Sequence, residues 1–187
     1  MKASAYVACI VFAIAFPVLA AAQFEGEVAT VKIGVLAKRG PEQALKMWSP
    51  TARYLSERIP ETRFEIVPLD FEDIYGFVEQ GKVDFVLANS SFYVELELLY
   101  GANRIATLKN RRLTSGYTRF GGVIFRKADR DDIQTFRDLK GKVFMAVEET
   151  SFGGWRMAWR ELKETGIDPY DDFRELRFGN THDAVVY

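Results

Sequence analysis

The sequence predicts an α/β fold of two lobes, on the basis of three observations. Strand candidates alternate with helix candidates from residue 30 onward, which is typical of parallel sheets covered by helices. A polar stretch at residues 109–115 divides this series into two units. The 187 residues are 48% hydrophobic and 27% charged, which is ordinary for a globular chain. The formal net charge of -1 excludes a general basic field for holding a nucleic acid.

The N-terminus has the features of a cleaved secretory signal, assigned to residues 1–22. Lys2 precedes an apolar stretch that Pro17 interrupts and that ends in three alanines before Gln23. An uncleaved membrane anchor is the alternative, although the stretch is near the lower length limit for a membrane span.

Cleavage after Ala22 would also remove Cys9, the only cysteine of the sequence. The mature chain would then have no thiol for a disulfide, a metal site or a nucleophile. We therefore expect a soluble protein in a bacterial periplasm, without a lipid-acceptor cysteine at its N-terminus.

The first unit, residues 23–116, is predicted to contain three strands, each followed by a helix. The strand candidates are residues 31–36, 63–67 and 83–87. The helix candidates are residues 50–58, a segment from Asp70 to Gly81, and one from Ser90 or Ser91 to Gly101. Ser49 is the expected N-cap of the first helix, because Pro50 would then occupy the first helical position, where its missing N–H costs nothing.

The second unit, residues 117–187, is predicted to repeat the strand-helix pattern. Residues 117–125 are expected to form a long strand that crosses between the lobes. A turn at 138–142, a strand at 143–147, a helix from Trp155, a strand at 173–178 and a helix start near His182 follow. The last helix breaks off in its first turns, so we expect a fragment of a longer protein with an incomplete second lobe.

Four turns follow the predicted strands, and each is rich in hydroxyl, amide or glycine groups: residues 38–49, 89–91, 150–153 and 179–182. In open α/β sheets, ligands bind outside the carboxyl ends of the strands, where the following helices present unpaired N–H groups. These turns therefore suit a small oxyanion. The alternative is that their polar residues only cap helices, each contributing about 1 kcal/mol to helix stability.

The turn at 150–153 and the turn near His182 contain the clearest candidate ligand groups. Thr150 and Ser151 offer hydroxyl donors, while Gly153 and Gly154 allow the backbone to approach a ligand closely. His182 is the only histidine, and a helix N-terminus disfavours its charged form, so we expect a neutral donor. A partly exposed polar residue without a ligand is the alternative.

Two aromatic and two acidic residues flank these turns. Trp48 and Tyr93 are either ligand contacts or ordinary core and rim aromatics. Glu148 and Glu149 either bind a cation on the ligand or are solvated turn residues, and we favour the solvated turn. No metal-ligand cluster or nucleophile-base pair stands out in the sequence, so an enzyme is the least expected class.

Several segments in one order carry a family resemblance: residues 48–50 (WSP), 81–86, 89–93, 138–142, 150–154 and 179–183. With these segments the chain resembles the PhnD-like phosphonate-binding family of type 2 periplasmic binding proteins. That family includes phosphate and phosphite binders and similar ectodomains of bacterial sensor kinases, among them tetrathionate sensors. The resemblance covers nearly everything after the signal.

The resemblance implies a type 2 periplasmic-binding-protein fold, here with a truncated second lobe, that holds an anion in an interlobe cleft. It implies nine ligand-binding residues: Trp48, Ser90, Ser91, Tyr93, Thr150, Ser151, Phe152, Gly153 and His182. The family's acidic residues for a ligand amine would lie beyond Tyr187, which leaves an aminophosphonate ligand open. We expect no cofactor and no metal.

Two functions remain open. The first is a solute-binding protein that captures a phosphonate, phosphite or phosphate-like anion and delivers it to the permease of an ABC importer. The alternative is the ectodomain of a membrane histidine kinase or other receptor that recognises a phosphorus or sulfur oxyanion. Recognition is the same in both, and only the attached output differs.

Overall fold

The computed structural model describes residues 28–187, so the signal predicted at residues 1–22 lies outside the described residues. The first lobe contains the predicted parallel sheet, in the strand order β2-β1-β3. Its strands are β1 (Ala29–Leu36), β2 (Thr62–Leu69) and β3 (Phe85–Leu87). Short apolar runs bounded by turn residues predict such strands well, because a strand covered on both faces needs apolar side chains on both.

Three helices belong to this lobe: α1 (Pro41–Arg58), α2 (Asp73–Glu79) and α3 (Ser90–Tyr100). Asp70 caps α2, since its Oδ1 accepts the main-chain N–H of Glu72 at 3.0 Å and of Asp73 at 2.9 Å. Asn89 caps α3 in the same way, and α3 ends at Gly101, whose φ of 67° is left-handed. The predicted end of α3 is confirmed.

The predicted start of α1 at Ser49 and Pro50 is wrong. The helix begins at Pro41, after Gly40 in a left-handed conformation, and Pro50 lies inside it on the exposed side. An apolar face runs across the proline at helical spacing and packs toward the sheet: Ala44, Trp48 and Ala52. A proline inside a helix costs about 3 kcal/mol, which burial of this face offsets. The turn predicted at residues 38–49 therefore shortens to 38–40.

The strand predicted to cross between the lobes at residues 117–125 is wrong. Instead, an antiparallel hairpin precedes this segment, formed by β4 (Asn110–Arg112) and β5 (Ser115–Tyr117). Residues 118–135 contain no helix or strand. Phe120, Val123 and Phe125 give the segment an apolar pattern, but they are 54%, 78% and 60% exposed, and no described strand pairs with them. A strand needs such pairing, because an extended segment forms its regular main-chain hydrogen bonds with a neighbouring strand and not within itself.

The second lobe is built on the parallel strands β6 (Val143–Ala146) and β7 (Glu175–Phe178). A 3₁₀ turn precedes them, and a π-helical turn and three helices complete the lobe: Phe136–Leu139, Phe152–Arg156, α4 (Met157–Glu164), α5 (Pro169–Asp172) and α6 (His182–Val186). Its core consists of Leu139, Leu162, Ile167 and Phe173. The helix predicted from Trp155 thus begins as a π-helical turn and becomes α-helical at Met157.

The lobes meet through the turns that follow their strands. The main-chain N–H of His182, after β7, donates to the carbonyl oxygen of Lys38, after β1, at 3.1 Å. The Asn89 amide, after β3, donates to the carbonyl oxygen of Thr150, after β6, at 3.5 Å. Val147 also packs into the apolar cluster of the first lobe. The carboxyl ends of the two sheets therefore face each other, as the turn chemistry predicted.

Candidate functional site

A cleft of about 920 Å³ lies where these turns meet. Four first-lobe residues line one side: Leu36, Lys38, Phe71 and Asn89. The segment after the hairpin and the second lobe line the rest, mostly with apolar side chains. The cleft thus lies at the carboxyl ends of the strands, the position where open α/β sheets bind ligands.

The charge that lines this cleft is basic. Lys38, Arg126, Lys127 and Arg130 belong to the lining, and none of the described lining residues is Asp or Glu. Asp132 neutralises Arg130 through an ion pair of 2.7 Å, so Lys38 and the Arg126–Lys127 pair provide most of the field. A cleft with one sign of charge and low-dielectric walls concentrates that field, which attracts an anion.

Ser151 carries a buried hydroxyl at the edge of the cleft and is the N-cap of the π-helical turn. Its side chain is 2% exposed, and its Oγ accepts the main-chain N–H of Gly154 at 3.2 Å. Its carbonyl oxygen accepts the N–H groups of Trp155 and Arg156 at 2.9 and 3.0 Å. Ser151 therefore has the geometry of a helix cap, as the capping alternative predicts. Its hydroxyl hydrogen has no acceptor among the described residues and could be donated to a ligand.

Gly153 and Gly154 allow close approach, but the partner in this structure is the protein itself. A Cβ at Gly154 would lie 2.4 Å from Cγ2 of Val147. A Cβ at Gly153 would lie 3.1 Å from the ring of Phe120, which stacks edge-on against Phe152. The glycines thus bring the turn against β6 and against the segment that leads into the second lobe.

His182 lines the cleft from the second lobe, and its Nδ1 is buried without a hydrogen-bond partner in the described structure. Burial lowers the pKa of the imidazole, and the nearby Lys38 ammonium lowers it further. The histidine is therefore neutral at neutral pH, as predicted, although burial is the larger cause. A buried nitrogen without a partner can bond a ligand at little additional desolvation cost.

The family assignment follows from sequence comparison at this point. The sequence model of the family described as "ABC transporter, phosphonate, periplasmic substrate-binding protein" matches residues 33–187. The chain belongs to this family. The predicted resemblance to PhnD-like phosphonate-binding proteins is thereby confirmed.

The chain also has a sensor kinase among its relatives. The chain is 36% identical over 160 residues to the tetrathionate sensor histidine kinase TtrS of Salmonella typhimurium strain LT2. The match covers 84% of this chain and 27% of the kinase. The predicted similarity to tetrathionate-sensor ectodomains is confirmed.

Two solved phosphonate-binding proteins share the fold. One is PhnD1 from Prochlorococcus marinus in complex with methylphosphonate, with a TM-score of 0.59 and 15% identity, covering 84% of this chain and 58% of PhnD1. The other is a binding protein component of an ABC phosphonate transporter from Pseudomonas aeruginosa, with a TM-score of 0.61 and 16% identity, covering 83% of this chain and 51% of that protein. The predicted two-lobed type 2 fold is confirmed, and the chain spans about half the length of these relatives.

Of the nine predicted ligand residues, the structure places three in the cleft lining: Ser151, Gly153 and His182. Thr150 lies beside the cleft, but its hydroxyl and its N–H both donate to the Glu148 carboxylate, the N–H at 2.7 Å. Phe152 is the first residue of the π-helical turn, lies outside the lining and contacts Phe120 edge-on. Glu148 is thus a structural acceptor within the turn.

The four predicted residues of the first lobe lie outside the lining. Trp48 packs on the core between α1 and the sheet, and Ser90 is exposed at the start of α3. Ser91 donates its N–H to Asn89 at 2.9 Å, and the Tyr93 hydroxyl donates to Glu97 at 2.5 Å. The first lobe presents Asn89 to the cleft in place of its serine neighbours.

Lys38 and Asn89 are lining residues that are absent from the predicted ligand set. Both lie directly after a strand of the first sheet, at its carboxyl end, and this position was the available signal. Arg126 and Arg130 gave no such signal, because they lie in a segment without helix or strand. Within residues 28–187, no group of three or more His, Cys, Asp or Glu is placed to hold a metal, and no helix has the length and apolarity to span a membrane.

Proposed function

We propose that this chain binds a small oxyanion in the interlobe cleft, as a phosphonate, phosphite, phosphate-like or sulfur oxyanion, and does not transform it. One observation carries the proposal: the described lining combines basic side chains and no carboxylate with the buried Ser151 hydroxyl and the unpartnered Nδ1 of His182. Lys38 supplies charge, while Asn89, Ser151 and His182 supply hydrogen-bond donors. Apolar lining residues such as Phe71 exclude water, which strengthens these contacts.

The experiment is calorimetry on the full-length protein with methylphosphonate, phosphite, phosphate, sulfate and tetrathionate, and with glucose as a neutral control. We expect at least one oxyanion to bind and glucose to give no heat. A hydroxyl that donates to a charged ligand contributes roughly 1.5–3 kcal/mol, so Ser151→Ala weakens binding at least tenfold. Thr51→Ala, on the exposed side of α1, leaves the affinity unchanged.

Two outcomes oppose the proposal. If glucose binds and none of the oxyanions gives heat, the proposed class of ligand is wrong. A Ser151→Ala variant that melts lower yet binds the best anion like the wild type would show that Ser151 is only a cap.

The output of binding has two candidates, each with its own support. The 36% identity to a sensor histidine kinase over 84% of the chain favours a receptor ectodomain coupled to a membrane signalling module. The family description favours delivery to the permease of an ABC importer. Both place the cleft outside the cytoplasm, and we propose that residues 1–22 direct this export and are cleaved after Ala22.

A further inference from the structure

A polar cluster joins the two lobes outside the cleft. The Glu95 carboxylate, on α3, accepts a hydrogen bond from the Tyr75 hydroxyl on α2. The same carboxylate pairs with the Arg156 guanidinium of the second lobe, with 3.1 Å between Nη2 and Oε1. None of the three residues lines the cleft. We call these three residues the interlobe cluster.

Arg156 connects this cluster to the turn that holds Ser151. It is the last residue of the π-helical turn, its main-chain N–H donates to the carbonyl oxygen of Ser151 at 3.0 Å, and its Nε donates to the carbonyl oxygen of Glu149 at 2.7 Å. Pairing with Glu95 therefore fixes both ends of the turn against α3.

Helix α3 is itself tied to the cleft, because its N-cap Asn89 lines the cleft and donates to the carbonyl oxygen of Thr150. The helix thus contacts the Ser151 turn at two points, at its cap and at Glu95. A rigid helix held at two points sets both the position and the orientation of the turn.

The Glu95–Arg156 ion pair is less exposed to solvent than the Arg160–Glu164 pair within the second lobe. The side chains of Glu95 and Arg156 are 33% and 37% exposed, whereas those of Arg160 and Glu164 within α4 are 66% and 55% exposed. Burial, followed by the bond to Glu95, raises the pKa of the Tyr75 hydroxyl, which keeps it a donor. A half-buried pair with a third bonded partner is screened less by solvent than a surface pair.

We propose that Glu95 is a positioning residue for the anion site, which holds the two lobes together through Arg156 and so increases anion affinity. The proposal rests on the proposed function for its ligand. A contact made only when the lobes are together raises the fraction of molecules competent to hold the ligand, and affinity rises with that fraction. The gain is expected in slower dissociation, because the lobes must separate for the anion to leave.

The test compares Glu95→Gln, Arg156→Gln and the double variant with the wild type, in the full-length protein, with methylphosphonate and tetrathionate as probes. We expect each single variant to weaken binding about fivefold or more, through the dissociation rate, within the usual range of coupling between sites. The double variant should be no weaker than Arg156→Gln, because Arg156→Gln alone already removes the pair together with the Nε bond to the Glu149 carbonyl. Tyr75→Phe should have a smaller effect in the same direction. Arg160→Gln, which removes an ion pair within one lobe, should bind like the wild type.

A second measurement needs no ligand. Spin labels on Glu57→Cys in α1 and Glu161→Cys in α4 report the distance between the lobes, and Glu95→Gln should shift its distribution toward longer distances while Arg160→Gln should not. Unchanged distances together with unchanged dissociation would overturn the proposal. If neither probe binds the wild type but Glu95→Gln still separates the lobes, the proposed function fails and the interlobe role of Glu95 stands.

Discussion

Burial sets the protonation of His182 more than its position at the start of α6 does. The sequence predicted a neutral imidazole from the helix dipole, but α6 is only five residues long. The larger cause that lowers the pKa is desolvation of the ring, followed by the charge of Lys38, while the Lys38 main chain and then Asp183 act in the opposite direction. The prediction was correct for a partly different reason, which sequence alone does not reveal because it depends on long-range packing.

This histidine gives the folded protein a defined pH dependence. Its pKa is lower in the folded than in the unfolded state, so the unfolded chain binds more protons in the pH interval between the two values. The free energy of unfolding therefore decreases as pH falls through about 6.5, the ordinary value of the group. The decrease ends below the folded-state pKa.

Replacement of His182 by Gln should remove the contribution of the imidazole to the pH dependence of the free energy of unfolding. We expect urea unfolding at pH 5 to 7.5 to give a wild-type curve that falls more steeply with acid than that of His182→Gln. Carboxylates contribute to both curves and cancel in the difference, and the sequence has no other histidine. If the two curves of unfolding free energy against pH run parallel, the pKa of His182 is the same in the folded and the unfolded state.

The polar residues of the cleft show which part of a site a sequence predicts. Position after a strand was a sound criterion, since Ser151 and His182 satisfy it and line the cleft. The same criterion applied to Asn89-Ser90-Ser91 did not identify which residue faces the cleft, because the side-chain direction depends on which residue caps α3. The basic residues of the cleft come together only through the fold.

At the scale of the element, the π-helical turn Phe152–Arg156 combines two requirements in five residues. A Cβ would collide at Gly154 and would be tightly placed at Gly153, and the N-cap Ser151 is buried as cap and candidate donor. An extra residue per turn, as in a π-helix, is a common device at functional sites. The sequence predicted an ordinary helix here, since apolar spacing does not distinguish the two geometries over a single turn.

Gly154→Ala should destabilise the protein by about 1–3 kcal/mol, because its Cβ would lie 2.4 Å from Val147 and 2.7 Å from the Ser151 hydroxyl. Chemical denaturation measures the change. Gly76→Ala is the matched control: it lies inside α2, where the nearest atom to a new Cβ is 3.7 Å away, and it should stabilise by roughly 0.5–1 kcal/mol. Equal effects of the two substitutions would contradict this account of the turn.

The two incorrect elements have a common physical origin. Helix α1 continues through Pro50, and the apolar segment at 118–125 forms no strand. In each case, tertiary contacts override the structure that the local sequence favours. Burial of a continuous helix face outweighs the proline. Absence of a described pairing neighbour leaves an apolar run without strand structure.

At the scale of the whole molecule, the recognition unit and its output are separable. The chain covers 27% of the sensor kinase and about half of each solved binding protein, so similar lobes occur in proteins with different outputs. Among the described residues, two ion pairs join the lobes, Glu95–Arg156 at 3.1 Å and Arg39–Asp183 at 2.8 Å. If the anion binds as proposed, a change in these contacts is what a permease or a signalling module would detect.

The location of the full-length protein distinguishes the two outputs. If the output is signalling, as the 36% identity to a sensor histidine kinase favours, we expect the whole protein in the membrane fraction after a high-salt wash. The anion that binds in calorimetry should then change the rate of histidine phosphorylation in membrane vesicles. Ser151→Ala, in the same fraction, should require at least tenfold more anion for the same response, by the loss of one charge-assisted hydrogen bond. Release of the protein by osmotic shock, with anion uptake that depends on it, would instead identify the importer subunit, and the cleft would serve delivery in place of sensing.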